Sequence, residues 1–133
     1  MARPAARHPT ELELAILQIL WRAGSGSGRD VQAELNRSGR TLAYTSVLTI
    51  LNIMTRKGYL RRRKSAEGGS GFIYSPRISE RATTGKMLAD LLRRVFHGSA
   101  SAMVLKLLED RHLDHSELTR LRELVDEQTG GPR

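Results

Sequence analysis

Thr45, Thr49, Asn52 and Arg56 stand at i, i+4, i+7 and i+11, so on a helix they form one polar stripe. An ordinary solvent-facing stripe favours Glu, Lys and Gln, which lose little rotamer freedom in a helix. Here three of the residues are short hydrogen-bonding side chains instead, and such groups suit base edges in a major groove. Asn can bond adenine N6 and N7, and the methyl of Thr can meet that of thymine. Thr45, Thr49 and Asn52 are therefore the expected base readers. Four cations follow in a row, Arg61-Arg62-Arg63-Lys64, and cations hold phosphate oxygens. Strand alternation sets Arg61 and Arg63 on one face and Arg62 and Lys64 on the other, all four being candidate phosphate contacts. Tyr44 and Ser46, near the helix start, can offer a hydroxyl or a backbone amide to a phosphate. Arg40 in the preceding turn and Arg56 and Lys57 at the helix end are further candidates, although the helix dipole also accounts for terminal cations. The blander readings are an amphipathic surface helix and a charged edge strand that resists association.

The elements that must position these groups follow from the apolar spacing. Val47, Ile50, Leu51 and Met54 recur at i, i+3, i+4 and i+7 opposite the polar stripe, which predicts a helix from about Tyr44 to Lys57, anchored behind. Leu48 and Ile53 flank the stripe and are expected to pack rather than read. Gly58 ends the helix. Tyr59-Leu60 and the cationic run then read as a strand, Glu67-Gly68-Gly69-Ser70-Gly71 as a turn, and Phe72-Ile73-Tyr74 as the returning strand. Upstream, Thr10-Glu11-Leu12-Glu13 is a capping box opening a first helix to about Arg22, with Leu12, Ile16, Ile19 and Leu20 inward and Trp21 a core or junction residue. Gly24-Ser25-Gly26-Ser27-Gly28 breaks that pattern. A second helix is expected over about Arg29 to Asn36, burying Val31 and Leu35, and Ser38-Gly39-Arg40 turns the chain into the third. Helix-turn-helix followed by a β-hairpin is the order of a winged-helix DNA reader.

From Ser79 the pattern is helical only. Leu88, Leu91, Leu92 and Val95 mark a fourth helix ending near Gly98, Met103, Val104, Leu107 and Leu108 a fifth, and Leu118, Leu121 and Val125 a sixth, which Asp114-His115-Ser116-Glu117 can cap. Three short helices bury too little surface to stand alone. A second copy would complete their core, so these apolar residues are the expected dimer contacts. The fold class is thus mainly α with a small β-hairpin wing. A flexible arm at 1–9 precedes a winged helix-turn-helix DNA-binding domain at 10–78, a helical dimerisation module at 79–128 and a flexible tail at 129–133.

Charge supports this division. The net charge of the 133 residues is +8. Thirteen Lys and Arg stand against five Asp and Glu before Ser79, and nine against nine from Ser79 onward. The excess therefore lies wholly in the half that carries the stripe and the cationic strand, as a polyanion binder requires. A membrane surface would call for a basic amphipathic helix, and these cations sit mainly in a strand and a turn. There is no cysteine, which excludes disulfides, thiolate metal sites and thiol redox sensing. No apolar run reaches a membrane span and Met1 to Thr10 lacks the apolar core of a signal peptide, so a cytoplasmic location is expected.

The residues also resemble a known family. Thr10-Glu11-Leu12-Glu13, Ile19-Leu20-Trp21, Ala43-Tyr44-Thr45-Ser46-Val47 with Thr49 and Leu51, Lys57-Gly58, Tyr74-Ser75-Pro76, Gly98-Ser99 and Met103-Val104-Leu105 resemble, in that order, the penicillinase repressor family, the BlaI/MecI/CopY group of bacterial transcription repressors. The likeness spans about Thr10 to Glu127. It implies a homodimeric, sequence-specific transcriptional repressor that dimerises through C-terminal helices and binds a palindromic double-stranded DNA operator. This chain departs from two modes of release found among members of that family. Members under a β-lactam sensor are cut between an Asn and a Phe in the fifth helix, where this chain has Lys106-Leu107. Copper-responsive members carry a C-terminal cysteine cluster that this chain lacks. A regulatory protease or sensor is thus an open partner class, and the inducing signal is not legible.

Other chemistry is weakly represented. His112 and His115 beside Asp110 and Asp114 have metal-binding residue types, but a complete site needs further fixed ligands and apolar surroundings, so no metal or cofactor is expected. Gly68-Gly69-Ser70-Gly71 is not followed by the Lys-Ser/Thr helix of a phosphate loop, and no nucleophile with a base partner is evident, so an enzyme is not expected. Two rival readings are a nonspecific architectural nucleic-acid binder, which the charge alone allows, and a protein-interaction adaptor, which would not need the cationic excess in one half.

Overall fold

A computed structural model describes residues 8–66 and 71–130. Most of the expected arm, Glu67 to Ser70 of the wing turn and the last three residues of the tail lie outside them. The order is α1 (Glu11–Ala23), β1 (Gly26–Ser27), α2 (Gly28–Arg37), α3 (Tyr44–Arg56), β2 (Leu60–Lys64), β3 (Phe72–Pro76), α4 (Glu80–Phe96), α5 (Ala100–Glu109) and α6 (His115–Gln128). The chain divides into two compact units, Met1–Met87 and Leu88–Arg133, with the division inside α4.

In the first unit, α1 starts with the expected capping box: the Glu13 amide donates to the Thr10 hydroxyl at 3.2 Å and the Thr10 amide to the Glu13 carboxylate at 2.9 Å. Each bond satisfies a backbone donor that the helix start would leave unpaired. The glycine-serine stretch after α1 does more than interrupt. Gly26 and Ser27 form a short strand antiparallel to β3, giving a three-stranded sheet of order β1-β3-β2 where a two-stranded hairpin was expected. Its pairing partners, Tyr74 and Ile73, lie far along the chain, and a two-residue strand of small residues has no periodicity of its own to reveal it. Ser27 also caps α2, in a second capping box with Asp30. The Ser-x-x-Asp spacing was a local signal for that helix start.

Ile16, Leu17, Leu20, Val31, Leu35, Val47, Leu51 and Met54 from the helices meet Leu60 and Tyr74 from the sheet in one core, all essentially without solvent exposure. Leu12 and Ile19 are only partly buried, and Leu17, absent from the expected inner face of α1, takes a central place. The helix lies in contact with both α2 and the sheet, so its apolar stripe is wider than one face. Trp21 is partly buried and its indole N–H donates to the carbonyl oxygen of Ile78 at 2.9 Å. Gly58, at φ +86°, closes α3. The Tyr59 amide returns to the Met54 carbonyl at 2.9 Å and the Gly58 amide to that of Thr55 at 3.1 Å. This C-terminal cap needs a left-handed residue and delivers the chain directly into β2.

The second unit leaves much of its apolar surface uncovered. Neither α5 nor α6 has a buried residue. Leu88, Leu91, Val95, Val104, Leu108, Leu118, Leu121 and Val125 are exposed large apolar side chains, as are Leu105 and Leu124, which are not among the expected dimer contacts. Leu92, Met103 and Leu107 are half-buried. On α4, by contrast, Asp90 is buried and accepts from Arg93 at 2.6 Å and Arg94 at 3.3 Å. The capping box of α6 is formed as expected, with Asp114 accepting from the Glu117 amide at 2.8 Å.

That cap carries a pH dependence. The backbone N–H of Glu117 first, and then the Ser116 hydroxyl, hold the Asp114 carboxyl below the ordinary value of 3.8. A lowered carboxyl pKa stabilises the folded helix above the unfolded value, and that contribution is lost as pH falls through the lowered one. Circular dichroism in acid is therefore expected to show α6 fraying progressively below about pH 4. Asp114→Asn, which caps without ionising, should remove that part of the transition; identical acid profiles for the two proteins would contradict it.

Candidate nucleic-acid interface

Helix α3 presents the two stripes predicted for it. Val47, Leu51 and Met54 are fully buried, with Ile50 partly so, while Thr45, Thr49, Ser46 and Arg56 are exposed. The core thus holds the helix from behind and leaves its polar face accessible. Thr49 donates to the Thr45 carbonyl at 2.9 Å, which commits its hydroxyl proton to the backbone and leaves the oxygen free to accept. The helix begins at Ala43 in an extended conformation with no side-chain cap. Its first amides are consequently not satisfied by a capping side chain, a state suited to an anion.

Tyr44 opens the helix, half-buried, with the guanidinium of Arg29 4.3 Å from its ring centre. Gly28 lies beneath this corner. A Cβ there would come 2.9 Å from Leu48 Cδ2 and 3.2 Å from Tyr44 Cε1, so the missing side chain is what lets α2 approach the start of α3. Arg29 was not among the expected site residues. Its identity gave no signal, because only the turn between α2 and α3 sets it over Tyr44.

The sheet register sorts the cationic strand. Arg62 pairs with Tyr74 and Lys64 with Phe72 on the face that carries buried Leu60, whereas Arg61 pairs with Ser75 and Arg63 with Ile73 on the other. All four cations are exposed. Arg62 is nonetheless engaged: its Nη1 donates to Asn52 Oδ1 at 3.0 Å and its guanidinium lies 4.3 Å from the Phe72 ring centre. The Tyr74 hydroxyl donates to the same Asn52 oxygen at 3.2 Å. Asn52 is therefore half-buried and tied to the wing, in contrast with Thr45 and Thr49 on the same stripe. The Ser65 amide donates to the Gly71 carbonyl at 3.1 Å and closes the neck of the hairpin.

Two other cations have partners of their own. Arg40 lies 3.1 Å from Glu11, a largely exposed pair of the kind that holds a side chain only loosely. Lys57 donates to both oxygens of buried Glu13, at 2.8 and 3.1 Å, and also lies near the Tyr59 ring. The Thr10-Glu13 cap and the end of α3 are thereby joined, and this internal ion pair accounts for Lys57 without a phosphate. His112 lies 4.0 Å from Asp110, and Asp114 is taken up by the cap of α6. Among the described residues, no helix is long and apolar enough to cross a membrane.

Comparison with known proteins places the chain in a family. The model of the penicillinase repressor family matches residues 9–127. The penicillinase repressor of Bacillus licheniformis is 27% identical over 118 residues, 89% of each chain. The methicillin resistance regulatory protein MecI of Mammaliicoccus sciuri is 21% identical over 116 residues, 87% of this chain and 91% of that one. Among solved structures, a mutant of MarR from E. coli superposes with a TM-score of 0.52 at 13% identity, covering 90% of this chain and 77% of that one. The same mutant bound to its operator DNA gives 0.51 at 14% identity, covering 89% and 74%. At such identity the likeness speaks for the winged-helix fold alone.

Proposed function

The chain belongs to the penicillinase repressor family and is a DNA-binding transcriptional repressor rather than an enzyme; we propose that it acts as a homodimer on a palindromic operator. Each subunit inserts α3 into a major groove, with Thr45 and Thr49 against base edges and Asn52 beside them. Arg61, Arg63 and Lys64 of the wing, with Arg62, hold phosphates, and Tyr44, Ser46 and the uncapped first amides of α3 hold another. Arg40 and Arg56 add charge at the two ends of the same helix. Half-sites would then recur at about 10 base pairs or a multiple of it, the repeat of successive major grooves. Leu88, Leu91, Leu92, Val95, Met103, Val104, Leu107, Leu108, Leu118, Leu121 and Val125 join the two copies. The protein would act in the cytoplasm, where its operator is.

The observation that carries this reading is the accessibility of Thr45 and Thr49 on a helix whose opposite side is buried at Val47, Leu51 and Met54. Such a helix can enter a groove without disturbing the core. The many exposed large apolar side chains of the second unit support the dimer, because such surface is commonly covered by a partner.

Binding the protein to fragments of its own genome and sequencing those retained tests the reading. A palindromic consensus is expected, bound at least about a thousandfold more tightly than mixed sequence. Thr49→Ala should then relax preference at particular base pairs by roughly 1 to 3 kcal/mol. Retention without any consensus, falling steeply with salt, would instead identify a nonspecific architectural binder.

A further inference from the structure

Asn52 meets the sheet through its carbonyl oxygen. A guanidinium has only donors, so the amide atom facing Arg62 must be Oδ1, and the Tyr74 hydroxyl meets the same atom. Two donors occupy both lone pairs of that oxygen. The bidentate adenine contact, which requires an accepting oxygen as well as the NH2 group, is closed to Asn52 while this arrangement holds. Arg62 uses one of its five N–H donors on Asn52 and rests on the Phe72 ring, which leaves the others for a phosphate.

We propose that Asn52 is a positioning residue: its carbonyl oxygen fastens the wing strand to the recognition helix and so sets the distance between the bases read by Thr45 and Thr49 and the phosphate held by Arg62. This rests on the DNA-binding reading above. Tyr74 is the far end of the device. It is 1% exposed and cannot touch a duplex, yet its hydroxyl helps hold the oxygen that holds Arg62. Fixing Arg62 before binding removes the ordering cost of a long side chain, which at one interface residue corresponds to roughly threefold to tenfold in affinity.

Tyr74→Phe removes one hydroxyl and keeps the ring in the core. Binding is measured on the duplex enriched from genomic fragments and on a mixed-sequence duplex of equal length, with thermal melting to show that each variant is folded. Tyr74→Phe is expected to weaken the enriched duplex by roughly threefold to tenfold and the mixed duplex by less. Asn52→Ala should weaken the enriched duplex at least as much, and in that background Tyr74→Phe should have no further effect, because the two act through one oxygen. Unchanged affinity in folded Tyr74→Phe, or losses that multiply independently, would overturn the proposal. A second measurement needs no DNA: NMR relaxation of the Arg62 side-chain Nε–H should show greater mobility in Asn52→Ala than in the parent, and equal mobility would remove the clamp. Should the parent protein bind neither duplex, the DNA reading itself would fall, an outcome that the relaxation experiment keeps separate from failure of the clamp.

Discussion

In the proposed homodimer, Val125→Arg combined with Leu121→Arg is expected to lower the mass in solution from that of two chains to that of one, and to weaken operator binding by about 10²- to 10⁴-fold. The size follows from linkage. In a dimer, engaging the first half-site presents the second subunit to its own half-site at an effective concentration of about millimolar, an advantage of that order which a monomer lacks. Both residues are already exposed within one chain, Val125 at 58% and Leu121 at 37%. Val125 has little intrachain packing to lose and Leu121 keeps about a third of its surface in solvent, so the helix content is measured alongside the mass. What changes is the apolar face formed with Leu118, where two guanidinium groups would have to be desolvated against their symmetry copies. Light scattering or sedimentation gives the mass and circular dichroism the helix content. Dimers that persist with unchanged operator affinity would place the contact between copies elsewhere.

Leu51→Ala is expected to destabilise the winged-helix unit by about 2 to 5 kcal/mol, the range for removing a large buried side chain and leaving a cavity. Leu51 has no solvent exposure and belongs to the core cluster shared by α1, α2, α3 and the sheet. A domain of this size has only about 5 to 15 kcal/mol in all, so melting should fall by about 10 °C or more. Alanine's better helix propensity returns only a few tenths of a kcal/mol. Thr49, two residues earlier and exposed, supplies the contrast. Thr49→Ala should leave melting nearly unchanged while altering base preference, whereas Leu51→Ala should lower melting and, below its transition, retain the parent's base preference. Equal melting of Leu51→Ala and the parent would show that this stripe does not anchor the helix.

The same contrast explains how far the site was legible in advance. The inner and outer stripes of α3 are local patterns, since a helix repeats every few residues and neighbouring types suffice to define its faces. The cap pairs Thr10 with Glu13 and Asp114 with Glu117 are local for the same reason. Gly26 and Ser27 were read as a break because a strand this short is made by its partner, and that partner is β3. Lys57 and Asn52 were assigned by residue type and exposure along one helix. Their actual neighbours, Glu13 for the one and Arg62 and Tyr74 for the other, come from separate elements.

From the sequence alone came the order of the six helices and the β2-β3 hairpin, the concentration of positive charge before Ser79, the opposed stripes of α3 and the family likeness later matched over residues 9–127. Each of these depends on composition or on periodicity within one element. Tertiary structure alone decided which cation is committed to the fold and which is left accessible, how β1 completes the sheet, and that the Asn52 oxygen is occupied by the wing. Those outcomes depend on pairs of groups brought together by the packing of a shared core, and hydrogen bonds act only at contact distance. Spacing along the chain can propose a donor and an acceptor; the fold determines whether they meet.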